Sequence, residues 1–184
     1  TRAGDTVIPA NYEAAPAAAD VRYGYDNVLP VSAADVAGAY WRNTSPITIT
    51  ATASDATSGF GSVALWYRYG AANGTFGAWT QFAIDTVSPW SWSFTFPSGQ
   101  GYYEFYTIAT DKATNGEAAP AAADVRYAYD TGLPTVNSGS DETRNALFYT
   151  TAAYRTTIAS ASDSLSGILT YAWTTTSGPG TITY

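Results

Sequence analysis

Between Pro46 and Ala109 the chain alternates apolar and polar residues with a period of two. Ile47, Ile49, Ala51 and Ala53 alternate with Thr48, Thr50 and Thr52, which predicts a half-buried strand with a threonine-rich outer face. Val63, Leu65, Tyr67 and Tyr69 alternate with Ala64, Trp66 and Arg68 to give the next strand. Trp79 to Ile84 reads as a short strand, Ser91 to Phe96 alternates strictly, and Tyr102 to Ala109 reads as a long strand. Ala123 to Tyr129 would close the unit. Asn73-Gly74 and the stretch Pro97 to Gly101 supply turns. Pro46, Pro89 and Pro97 fall at strand edges or turns, where a missing N–H does little harm. The pattern predicts an all-β sandwich of about seven antiparallel strands with no helical period.

One stretch occurs twice. Glu13 to Pro30 and Glu117 to Pro134 lie 104 residues apart and differ only at Gly24/Ala128, Asn27/Thr131 and Val28/Gly132. A period of that size is one sandwich of immunoglobulin size, not a short solenoid repeat. Pro16 and Pro120 interrupt the alanine-rich AAPAAAD stretch, which therefore reads as an extended connector feeding a last strand. A second signature, Ala53 to Gly59, returns as Ala161 to Gly167, and Tyr171-Ala172-Trp173 then takes the place of the strand around Trp66. The expected organisation is tandem Ig-like domains: 1–30 as the closing strand and linker of one unit, 31–134 as a complete unit, and 135–184 as the start of a third.

Composition narrows the chemistry. Fifteen Tyr, seven Phe and six Trp favour strands. A net charge of −7 with a single lysine, Lys112, argues against a nucleic-acid partner. Cys, His and Met are all absent, so no disulfide, thiolate site or histidine-held transition metal is possible. The same absences suit a long extracellular life, since Cys and Met are the main oxidation targets. No apolar run approaches the roughly 18–20 residues of a membrane span. Thr1 is not an initiator, so the chain reads as a mature or internal piece.

The segments TSPITITATASDATSGFGSVALWYRY and GYYEFYTIATDKATNGE carry a resemblance. They resemble the Ig-like repeats of bacterial and archaeal surface proteins, with a Ser-Asp-x-x-Ser-Gly turn and a strand ending in Ala109-Thr-Asp111-Lys112-Ala-Thr-Asn115-Gly-Glu117. The closing YAWTTTSGPGTITY is similar to PKD-like sandwiches. The resemblance covers roughly residues 38–117 and implies an extracellular or cell-surface setting. It implies little about activity, because one sandwich hosts many functions.

Four sets of residues are candidates. Asp55, Asp111, Asn115 and Glu117 could hold calcium, a hard cation that takes about six to eight oxygens. The competing reading is local turn bonding by the same side chains. In related Ig-like arrays a calcium site of this kind stiffens the junction between domains. Asn43-Thr44-Ser45 and Asn73-Gly74-Thr75 are glycosylation acceptor patterns in expected loops. Trp66, Trp79, Trp90 and Trp92 would serve either as a sugar-stacking platform or as core, and alternation buries Trp66 or its neighbours but not both. Catalysis has little support: there is no His for a nucleophilic triad, and Glu104 is the only Glu in an expected strand of the complete unit.

The expectation is therefore a non-enzymatic structural protein: a tandem segment of a surface filament, stalk or surface layer. Its partners would be copies of itself, joined head to tail by β-strand complementation at the partial end units. The alternative is an adhesin, or a carbohydrate-binding accessory module that meets surface glycans.

Overall fold

The computed structural model describes residues 21–35, 37–139 and 160–172, and the single positions 3, 4, 6, 14 and 18. Within these the chain is all-β, with no helix. Eight strands build the body: β1 (Val31–Ala34), β2 (Trp41–Arg42), β3 (Ile47–Ser54), β4 (Phe60–Gly70), β5 (Thr80–Asp85), β6 (Ser91–Phe94), β7 (Gly101–Asp111) and β8 (Val125–Tyr129). A further pair, β9 (Thr135–Asn137) and β10 (Ser160–Ser162), follows. Most of 1–20, 140–159 and the closing segment from Trp173 onward lie outside the described residues, as do most of the first copy of the AAPAAAD connector and most of the PKD-like stretch.

One sheet has the order β1-β3-β6 and the other β2-β8-β7-β4-β5. All neighbours are antiparallel except β2 and β8. The sheets face one another, sandwich-like. Ile47 and Ile49 of β3 and Trp92 and Phe94 of β6 meet Val63 and Leu65 of β4, Tyr103 and Phe105 of β7, and Val125 and Tyr127 of β8 in one core. These are the positions that the period-two pattern turns inward. Each such large side chain contributes about 1.5–3 kcal/mol by leaving water. Phe94 sits at the centre. Its ring lies 4.8 Å from Phe105, 4.9 Å from Phe82, 5.1 Å from Tyr67, 5.4 Å from Phe96 and 5.6 Å from Tyr103.

The strands depart from the sequence reading in three places, the first being the parallel pairing of β2 with β8 where antiparallel strands were expected. Strands β1 and β2 were not expected, because four residues (VSAA) and two residues (WR) are too short to show a period. In addition, Leu65 pairs with Ala83 but Trp66 pairs with Gln81, so Phe82 is an extra residue on β5. That bulge lets the consecutive residues Phe82 and Ala83 both pack against the core.

Candidate functional site

The acidic candidates gather where the linker 21–30 meets the turns at one end of the body. Carboxylate oxygens of Asp26, Asp55 and Asp111 lie within 4.8 Å of one another. Asp55 opens the turn after β3, and its Oδ2 accepts the backbone N–H groups of Thr57 (3.1 Å) and Gly59 (2.7 Å). Gly59 closes that turn at φ 74°, a left-handed conformation that favours glycine. Asp55 Oδ1 is buried and meets no hydrogen-bond donor among the described residues. Asp111 ends β7 and is 2% exposed. Its carboxylate accepts the backbone N–H of Asn115 (2.8 Å) and the Asn115 side-chain amide (2.7 Å). The same amide donates to the Asp26 carbonyl at 3.1 Å.

Three of the four expected residues therefore meet, and the fourth does not. Glu117 points away and accepts the backbone N–H groups of Ser32 and Ala109, each at 2.9 Å. Asn115 turns its NH₂ toward the acids, so it answers their charge as a donor rather than adding a ligand oxygen. The place left by Glu117 is taken by Asp26, which sequence reasoning missed. Its signal was present: Asp26 and Asp130 are equivalent positions of the doubled segment. Asp26 Oδ1 accepts the N–H of Val28 (2.9 Å) and Oδ2 the N–H of Ser58 (2.8 Å). The Val28 bond and then the Ser58 bonds hold its carboxyl below the usual aspartate range.

Part of this bonding pattern recurs further along, at the equivalent residues of the two repeated segments. Asp130 Oδ1 accepts the N–H of Gly132 (2.7 Å) and Oδ2 the N–H of Ser166 (3.1 Å). Asp163, equivalent to Asp55, accepts the N–H groups of Leu165 (3.1 Å), Ser166 (2.9 Å) and Gly167 (3.1 Å), with the Leu165 bond the main cause of a lowered pKa. Gly167 has φ 76°. Strand register repeats as well. Val31 pairs with Ser54 and Ser32 with Ala53 in the first instance; Thr135 pairs with Ser162 and Val136 with Ala161 in the second.

The tryptophans divide. Trp90 and Trp92 are 5% and 6% exposed and belong to the core, which removes them from any sugar-stacking platform. Trp66 and Trp79 are half-buried on the outer face of the larger sheet. Both rings meet Tyr106, at 6.1 and 4.2 Å, and the Arg68 guanidinium covers Trp79 at 4.6 Å. Beside them Glu104, 3% exposed, lies between Arg68 and Arg126, its direct neighbours on β4 and β8. Arg68 Nε donates to its Oε2 at 2.7 Å, and Arg126 Nη2 donates to its Oε1. Glu104 is thus bound up in ion pairs with both arginines. The acceptor asparagines Asn43 and Asn73 are both exposed and outside strands, and Asn73 Oδ1 accepts a long bond from Arg126 (3.4 Å).

Compared with protein families, curated proteins and solved structures, the chain matches none. Among the described residues no helix is long and apolar enough to cross a membrane.

Proposed function

We propose that this chain is a structural segment of tandem Ig-like sandwiches, part of an extracellular filament, stalk or surface layer. The observation that carries the reading is the repeated joint. Asp26 bonds the Ser58 N–H and Asp130 bonds the Ser166 N–H, through equivalent residues in equivalent turns. A joint built twice on one plan sets successive units at one fixed geometry, which a rod requires and a single binding domain does not.

A second feature supports completion of the preceding unit by another sheet. Val21, Tyr23 and Tyr25 are 61%, 94% and 83% exposed, whereas Val125 and Tyr127, at the equivalent positions of β8, are 5% and 1% exposed. The same sequence is core in one copy and open in the other, so the first copy fits a β7-like edge. That edge belongs either to the same polypeptide or to a neighbouring copy, joined head to tail by strand addition. Calcium at the Asp26–Asp55–Asp111 cluster would stiffen the joint, and Asn43 and Asn73 would carry surface glycans.

Electron microscopy and sedimentation of the native material test the proposal. Elongated particles with a regular spacing of one sandwich are expected. Globular, freely jointed particles would sink it. The mass of the native subunit separates completion in cis from completion by a neighbour. A glycan-binding screen addresses the alternative module: saturable binding lost in Trp66→Ala and Trp79→Ala would favour it.

A further inference from the structure

The acids that bracket the doubled connector have a role that neither the joint nor the core accounts for. Pro120 keeps the stretch between Glu117 and Asp124 from pairing along β7 as a regular strand. At its two ends the backbone still joins β7: Glu117 N–H donates to Ala109 O (2.9 Å) and Asp124 N–H to Phe105 O (2.8 Å). The side chains then reach the other way. Glu117 Oε2 accepts the N–H of Ala109 on β7, and Oε1 accepts the N–H of Ser32 on β1, both at 2.9 Å. The Ser32 hydroxyl also donates to Glu117 at 2.5 Å. Asp124 Oδ2 accepts the N–H of Thr107 on β7 (3.1 Å) and the N–H of Ala34 on β1 (2.9 Å).

Ser32 and Ala34 are two residues apart, as are Thr107 and Ala109, so in each strand both amides point to one edge. The opposite edge of β1 is paired with β3. Two carboxylates therefore stand where a strand would otherwise be, and they tie an edge of the smaller sheet to the central strand of the larger one.

We propose that Glu117 and Asp124 form a clip that holds β1 against a pull arriving through the joint. This rests on the tandem reading above. Chain tension would enter the unit at Val31, directly after Pro30, and β1 is the first strand it meets. β1 is a short edge strand with four residues paired to β3, and the clip supplies its second set of bonds.

The two acids differ in a way that a space-filling role would not reproduce. Glu117 uses both oxygens as acceptors. Glutamine replaces one with an NH₂ that cannot accept. Asp124 uses one oxygen for both bonds, and asparagine keeps such an oxygen.

Amide hydrogen exchange on the isolated protein, followed by single-molecule pulling of a tandem array, tests the clip. In Glu117→Gln one of the Ser32 and Ala109 amides, the one left facing the NH₂, should exchange about tenfold faster while β3 and β6 amides are unchanged. Asp124→Asn should leave Ala34 and Thr107 largely protected, and Asp124→Leu should not. The rupture force of the array should fall in Glu117→Gln and hold in Asp124→Asn. Unchanged exchange at these four amides, uniformly faster exchange across the unit, or equal rupture forces would each overturn the proposal. Should Glu117→Gln fail to fold, the comparison of Asp124→Asn with Asp124→Leu carries the same test. Exchange reads the clip whether or not the native material is a filament.

Discussion

The Asp26 carboxylate accepts the Ser58 backbone N–H at 2.8 Å, tying the linker before β1 to the turn after β3. The bond from Ser166 to Asp130, at 3.1 Å, repeats it between the equivalent residues. Removing either acid should loosen one joint and spare the sandwich. In Asp26→Ala, ¹⁵N relaxation is expected to show faster local motion of residues 21–30, with Ser58 and Val28 amides losing protection. Asp130→Ala should do the same to Ser166 and Gly132. Unaltered linker dynamics in both would mean that the acids do not set the joint.

Calcium should act at the first joint. Three carboxylates within 4.8 Å repel one another, and a divalent cation relieves that repulsion. Calcium is expected to raise the melting midpoint of the wild type, a chelator to reverse the rise, and Asp55→Asn to abolish it. A midpoint indifferent to calcium would count against cation binding there.

The aromatic core should be sensitive at its centre and tolerant at its outer face. Phe94, 0% exposed and surrounded by five rings, should cost about 3–5 kcal/mol on truncation to alanine. Trp92→Ala should fall in the same range, since its indole is 6% exposed. Trp66→Ala should cost clearly less, because that ring is half-buried on the outer face. Urea denaturation of the three variants gives the ranking directly.

Glu104 should be more costly to orphan than to neutralise. Its side chain is 4% exposed while Arg68 and Arg126 are 31% and 43% exposed. Replacing both arginines by methionine leaves a buried carboxylate without a counter-charge and should cost about 3–5 kcal/mol. Glu104→Gln removes the charge itself and should cost less. The opposite order in denaturant midpoints would contradict this account.

Tyr103 should report on alkaline stability. Its hydroxyl donates to Gly99 O (2.7 Å) and accepts the Ser98 N–H (3.1 Å), and burial pushes its pKa up to about 12. An unfolded tyrosine ionises near 10, so between about pH 10 and 12 the unfolded state releases a proton that the folded state keeps. Stability from this group is complete below pH 10 and is lost as pH rises toward 12. Tyr103→Phe should be less stable at neutral pH and show a shallower alkaline decline in melting midpoint.

Much of the body was legible. Ile47 to Ala53, Val63 to Tyr69 and Ser91 to Phe96 alternate cleanly, and the faces they assign to the interior are those that pack. The site was only partly legible. Asp55, Asp111 and Asn115 sit in recognisable turns, but Asp26 lies 29 residues before Asp55 and 85 before Asp111. Nothing local marks Asp26 as their neighbour. Glu117 shares a loop with Asn115, yet its carboxylate is drawn to the Ser32 and Ala109 amides, which nothing near it in sequence marks.

By itself the sequence determined the strand type, the inward face of each longer strand, the turns and the repetition of a unit. These depend on a two-residue period and on local backbone preferences, which are written in neighbouring residues. Only the tertiary structure decided which acids meet, which tryptophans are interior and how β1 is held. Trp66 stands between Leu65 and Tyr67, so around it both faces of the strand are apolar until a second sheet covers one of them. The Glu117 and Asp124 clip is likewise invisible along the chain, because its partners on β1 lie 85 and 90 residues away and are backbone amides that every residue type except proline offers.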